Sequence, residues 1–320
     1  MENLDEQITK YLTDAHSIEE QALAQLRSAP EIAVVPRLAE AFKMHIAETE
    51  QHEAIVRDLL SSRGADPSRL KDTAMKLGGK GFVLFAKSQP DTPGKLAAHA
   101  FSYEHLEQAS YELLALVAEK AGATDVKEAA GRIAGEEREM ADRIAAAFGE
   151  AADVSLELKP DVPLGEQLDR YLADAHAIEA QAITLLSKAA DSVDDAQLEE
   201  AFRTHLVETE RHSELIADRL TARGSSPSTL KDAALKMGGF SWAAFFKVQP
   251  DTTGKLAAFA YAFEHLEIAA YAELERVAVE AGDADTASLA KLIRSQEEQA
   301  AVKLRSLFDR AVTASLAAVA

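Results

Sequence analysis

His45-Ile46-Ala47-Glu48-Thr49-Glu50-Gln51-His52 sets two histidines and a carboxylate at steps of three and four, the spacing of one face of an α-helix. The octet returns as His205-Leu206-Val207-Glu208-Thr209-Glu210-Arg211-His212, each residue 160 positions after its partner. Working outward, the same offset relates Thr13-Asp14-Ala15-His16-Ser17-Ile18-Glu19 to Ala173-Asp174-Ala175-His176-Ala177-Ile178-Glu179, and Glu104-His105-Leu106-Glu107 to Glu264-His265-Leu266-Glu267. The register holds without a gap, so a whole domain is duplicated. A repeat this long buries its own core and is not a solenoid unit. We expect domains over 1–152 and 163–320, with a linker over 153–162 where Pro160 and Pro163 break helix.

Helical periodicity runs over about 4–28, 35–61, 95–121 and 125–149 in the first copy. Pro36, Gly64 with Pro67, Pro93-Gly94 and Gly122 mark the ends. Short links join the first to the second stretch and the third to the fourth, which implies antiparallel neighbours. The long stretch between the second and third is too long for a bare loop and predicts short helix, with Lys71-Asp72 and Lys231-Asp232 docking it. Two helix pairs and one crossover is ferritin-like connectivity. The predicted fold class is all-α, two tandem ferritin-like four-helix bundles.

Each predicted helix carries acid on its apolar stripe. The stripes read Ile8, Leu12, Ala15, Glu19, Ala22; then Ala41, His45, Glu48, His52, Ile55; then Ala97, Glu104, Glu107, Tyr111; then Ile133, Glu137, Met140, Ile144. The second copy keeps Glu179, His205, Glu208, His212, Glu264, Glu267 and Glu297, while Glu136 becomes Gln296. An unpaired buried carboxylate costs several kcal/mol, against a domain stability of about 5–15 kcal/mol. No stripe position carries Arg or Lys. Divalent cations are the economical compensation, and carboxylate with imidazole suits iron, manganese or zinc. The candidate ligands are these fourteen residues: Glu19, His45, Glu48, His52, Glu104, Glu107, Glu137 and their counterparts. Glu20, Glu50, Glu53, Glu112 and Glu136 fall off the stripe and read as surface charge. His105 and His265 read as hydrogen-bonded residues at the bundle edge, and Tyr111 and Tyr271 as core residues with satisfied hydroxyls.

The 320 residues carry a formal charge of −20, which repels phosphate backbones and disfavours nucleic acid and anionic membranes. With no cysteine, disulfides and thiolate metal sites are excluded. The start, Met1 to Asp5, lacks the basic and apolar blocks of a signal peptide, and no apolar run is long enough to span a bilayer, so a cytoplasmic protein is expected.

The motifs His45-x-x-Glu48-Thr49-Glu50-x-His52 and Glu104-His105-x-Glu107-x-x-x-Tyr111 resemble the ferritin-like superfamily and, within it, the bacterial YciE/YciF-type stress-associated family. The resemblance covers nearly all of each copy and implies a four-helix bundle with a two-metal carboxylate site. One departure stands out: ferritin-like sites carry Glu-x-x-His on two helices, yet Glu137 is followed by Met140 and Glu297 by Ala300. The expectation is that Glu48 bridges two metals and the helix 2 histidines supply the missing ligand.

Three functions follow as expectations. The first is an oxidoreductase with two iron ions per bundle, oxidising Fe(II) or consuming dioxygen or peroxide. The second is a non-catalytic stress scaffold stapled by metal. The third, a storage cage, fits a fused pair poorly. The copies are expected to form an intramolecular pseudo-dimer, with further homo-oligomers open.

Overall fold

The computed structural model describes residues 2–68, 92–225 and 253–319. Both crossovers, with Lys71-Asp72 and Lys231-Asp232, lie outside the described residues. The first copy consists of α1 (Glu2–Leu26), the short α2 (Ala29–Ile32), α3 (Pro36–Ser62), α4 (Thr92–Ala121), α5 (Thr124–Ala145) and α6 (Phe148–Glu157). The second has α7 (Leu164–Ser192), α8 (Ala196–Ala222), α9 (Thr253–Glu280), α10 (Ala284–Arg305) and α11 (Phe308–Ala317). Among the described residues there is no strand, and the all-α tandem architecture matches the expectation.

Local chemistry sets the ends. Pro36 opens α3, where a missing N–H costs nothing. Asp195 caps α8 by accepting from the amides of Gln197 and Leu198. Gly64 and Gly122 adopt left-handed φ of 67° and 73°, which lets the amides of Ala65 and Ala123 turn back onto the carbonyls of Leu60 and Ala118.

Within the first copy α1 packs on α3 and α4, and α5 on α4 and α3; α7 to α10 repeat this arrangement. The copies then join through α4 and α9; among the described residues the larger hydrophobic cluster runs across both, and a smaller one lies mainly in the second copy. The join has approximate twofold symmetry. His105 stacks on His265 with ring centroids 3.5 Å apart. Lys95 pairs with Asp174 at 3.0 Å, and its counterpart Lys255 pairs with Asp14. Thus His105 and His265 do donate from Nδ1 to backbone, on Phe101 and Tyr261, but the bundle edge they occupy is the contact between copies.

The fourth predicted stretch breaks at Ala146 and Ala147, and the chain continues as α6 through Glu157, inside the stretch read as linker. Its counterpart α11 takes up most of the apolar C-terminal segment. Both short helices lie across α4 and α9, covering the seam between copies. Ser155 and Ser315 each accept the amide of Gly94 and Gly254 at the start of those helices.

Candidate metal centre

Four helices of each copy aim acid and imidazole into one buried layer. Glu19 on α1, His45 and His52 on α3, Glu104 and Glu107 on α4 and Glu137 on α5 are all buried, as are Glu179, His205, His212, Glu264, Glu267 and Glu297. Ligand-type atoms gather in two groups per copy: His45 with Glu104, Glu107 and Glu137, and His52 with Glu19 and Glu137. The second copy repeats both, as His205 with Glu264, Glu267 and Glu297, and His212 with Glu179 and Glu297.

Glu137 belongs to both groups. Its Oε2 lies 3.2 Å from His45 Nε2 and its Oε1 lies 2.8 Å from His52 Nδ1. Glu297 does the same at 3.3 and 2.7 Å. The imidazole centroids of His45 and His52 are 6.3 Å apart, so two histidines a helical heptad apart do reach one cluster, leaning in from either side of Glu137.

Each histidine turns its other nitrogen to an outer acceptor. His45 Nδ1 meets Glu48 Oε2 at 2.9 Å, and His52 Nε2 meets Glu136 Oε2 at 2.6 Å. Such outer carboxylates fix ring orientation and strengthen a ligating imidazole. In the second copy Glu208 takes the first role at 3.1 Å, and the Gln296 amide oxygen takes the second at 3.0 Å. Tyr111 and Tyr271 hydroxyls donate to Glu19 and Glu179.

Glu48 and Glu208 stand outside the buried groups. The expected stripe through Glu48 and Ile55 is one residue out of phase there: from His45 onward the buried residues of α3 are His45, Thr49, His52, Val56 and Leu60. Thr49 faces the core, its hydroxyl on the His45 carbonyl, while Glu48 reaches the surface and pairs with Arg143 at 3.0 Å. The residue common to both groups, and so placed to bridge, is Glu137. Glu136 is 41% exposed, as expected of surface charge, yet it also receives His52; its adjacency to Glu137 is the sequence signal for that contact. Another group forms at the edge of the first copy from His16, Glu20 and Glu53. Arg57 already engages both oxygens of Glu53, and the second copy has Ala180 and Ser213 at the acid positions.

The charge balance of the protein alone is lopsided. Burial raises the pKa of Glu137, but the approach of His45 and His52 more than offsets this and holds it at about 2. Burial, aided by the Glu137 charge, pushes Glu19 up to about 8, and burial pushes Glu104 up to about 7 against the pull of His45. Burial and the charges of Glu137 and Glu19 keep Glu107 well above the carboxylate range. Burial lowers His52, but Glu137 outweighs it and raises it to about 9. The cluster therefore stores protons on acids and imidazoles alike.

Those groups are poorly satisfied by protein. Neither oxygen of Glu107 or Glu267 has a hydrogen-bond partner among the described residues. His52 Nδ1, His45 Nε2 and both Glu137 oxygens meet at ion-pair distance without the alignment of a hydrogen bond. Buried polar atoms are rarely left in this condition, and each costs about 1–3 kcal/mol. Cations fit the defect: one in each group would accept lone pairs from that group's atoms and replace the stored protons. The donor set, oxygen-rich with one imidazole per group, suits iron, manganese or zinc.

Matches to a single family model cover residues 3–156 and 164–317, nearly the whole of both copies. The chain therefore belongs, twice over, to the family described as a domain of unknown function (DUF892), a family of the ferritin-like superfamily.

Proposed function

We propose that each copy would hold two metal ions, iron by first preference, in the two groups that share Glu137 or Glu297, and that the protein works as a cytoplasmic stress-defence oxidoreductase acting on Fe(II) with dioxygen or peroxide. The observation that carries this reading is the carboxylate shared between two histidine-containing groups. Paired iron supplies the redox chemistry when bound. The chain supplies the rest. Glu104 and Glu107 offer oxygens on one side of Glu137, Glu19 offers one on the other, and His45 and His52 provide one nitrogen each. Glu48 and Glu136 hold the imidazoles in register from outside, and Tyr111 holds Glu19. In the first copy the apolar layers around the cluster, Met140 and Ile133 among them, exclude bulk water.

A second reading has its own support. His45 and Glu137 are 0% exposed, the burial expected of an ion that staples the bundle without turnover. One experiment separates the two. Anaerobic Fe(II) titration followed by admission of oxygen or peroxide measures binding and turnover on the same sample. Oxidant consumption that needs Fe(II) and disappears in Glu137→Gln, Glu297→Gln supports the oxidoreductase. Metal-dependent stabilisation without consumption supports the staple, and no metal uptake discards both.

A further inference from the structure

Among the described residues, the two centres differ in what stands between them and solvent. In the first copy, Met140 lies one turn beyond Glu137 and is fully buried. Arg143 reaches from α5 to Glu48 on α3 at 3.0 Å, strapping the two helices together, and His45 beneath is sealed, its side chain 0% exposed. In the second copy the corresponding residues are Ala300 and Lys303, and Met44 is replaced by Thr204. There a cavity of about 590 Å³ opens between α8 and α10. Its wall includes Thr204, Ala300 and Lys303, and it reaches His205, Glu208 and Glu264 of the centre. The side chain of His205 is 9% exposed and that of Glu208 50%, against 31% for Glu48.

Resting on the proposed metal centres, we infer that this cleft is an entry route for hydrated divalent cations, and that the second centre exchanges its metal with solvent while the first retains it. Size permits it: six waters of liquid volume occupy about 180 Å³, well inside the cavity. So does chemistry. Glu200 and Glu208 line the cleft together with Gln296 and Gln299, so its oxygens can take over an ion's water ligands one at a time. Among the described lining residues Lys303 is the one lysine or arginine and it is exposed, and the chain's formal charge of −20 draws cations toward the mouth. In the first copy the guanidinium of Arg143 engages both oxygens of Glu48, the counterpart of Glu208, and so takes up the carboxylate that an incoming ion would use.

The test uses the full chain loaded with Zn(II), total zinc by mass spectrometry, and release to a colorimetric chelator followed in time. The expected trace has two phases of equal amplitude, separated by about tenfold or more in rate. Ala300→Met with Lys303→Arg slows only the fast phase. Arg143→Ala, at a partly exposed position where folding is safe, speeds only the slow one. Full loading with a single phase overturns the inference and leaves the metal-centre reading intact. Two phases that ignore both variants also overturn it. A chain that takes up no zinc sinks the centres themselves, and the inference with them.

Discussion

Replacing Glu107 and Glu267 together by Leu should make the metal-free protein more stable and the metal-treated protein less so. Both carboxyls are buried, held protonated by burial and neighbouring charge, and neither oxygen has a partner among the described residues. Removing each orphan recovers about 1–3 kcal/mol of desolvation cost, and Leu matches Glu closely enough in volume to avoid a cavity. A gain near 2 kcal/mol in a copy of this size raises Tm by about 4–8 °C. The same oxygens are ligands in the proposed centre, so the variant forfeits the gain that metal confers, about 2.7 kcal/mol at a hundredfold excess over Kd. Differential scanning calorimetry on chelator-treated and metal-loaded samples reads both effects. A lower Tm for the metal-free variant, with the metal-induced shift unchanged, would refute the reasoning. Glu107 would then be an ordinary satisfied residue and no ligand.

Glu137→Gln should lower the metal-free stability by about 3–5 kcal/mol, because it strands the charges of His45 and His52, and should halve the metal content of the chain by emptying the first copy alone; urea titration and mass spectrometry check the two. Metal uptake should release protons and tighten as pH rises from about 6 to 9. The acids raised to about 7 and 8, Glu104 and Glu19, and the imidazole raised to about 9, His52, must all give up protons to ligate, and calorimetry in buffers of different ionisation enthalpy counts those protons. In the metal-free protein the signs separate. Glu137, depressed to about 2, stabilises above its ordinary 4.5 and loses that as pH falls toward 2, whereas the raised Glu19 and Glu104 cost stability as pH climbs from 4.5 toward 7 and 8. Residues 1–158 expressed alone should sediment as a dimer. The surface that α4 shows to α9, with Phe101 and His105, is complementary to a second copy of itself, and a monomeric fragment would mean the copies join through features peculiar to the second.

The repeat, the four amphipathic stretches and the presence of acid in a helical seam were all legible in the amino-acid order, because periodicity and self-similarity are properties of the string. So were the ligand types, since the chain has no thiol and its seam offers only carboxylate and imidazole. The helical phase of α3 was not. From His45 the stripe can step three residues to Glu48 or four to Thr49, and both are allowed by a period of 3.6. Adjacent positions point about 100° apart, so only packing of α3 against α1 and α5 decided that Thr49 turns inward and Glu48 meets Arg143. Tertiary structure likewise decided which acid is shared. Glu137 is one glutamate among several on α5 until two histidines from α3 close on it from either side. His105 looks idle in one copy, and its partner His265 lies 160 residues away, so their stacking became visible only once the copies met. Order along the chain determines what a helix offers; which offers combine depends on distances between helices that no local pattern encodes.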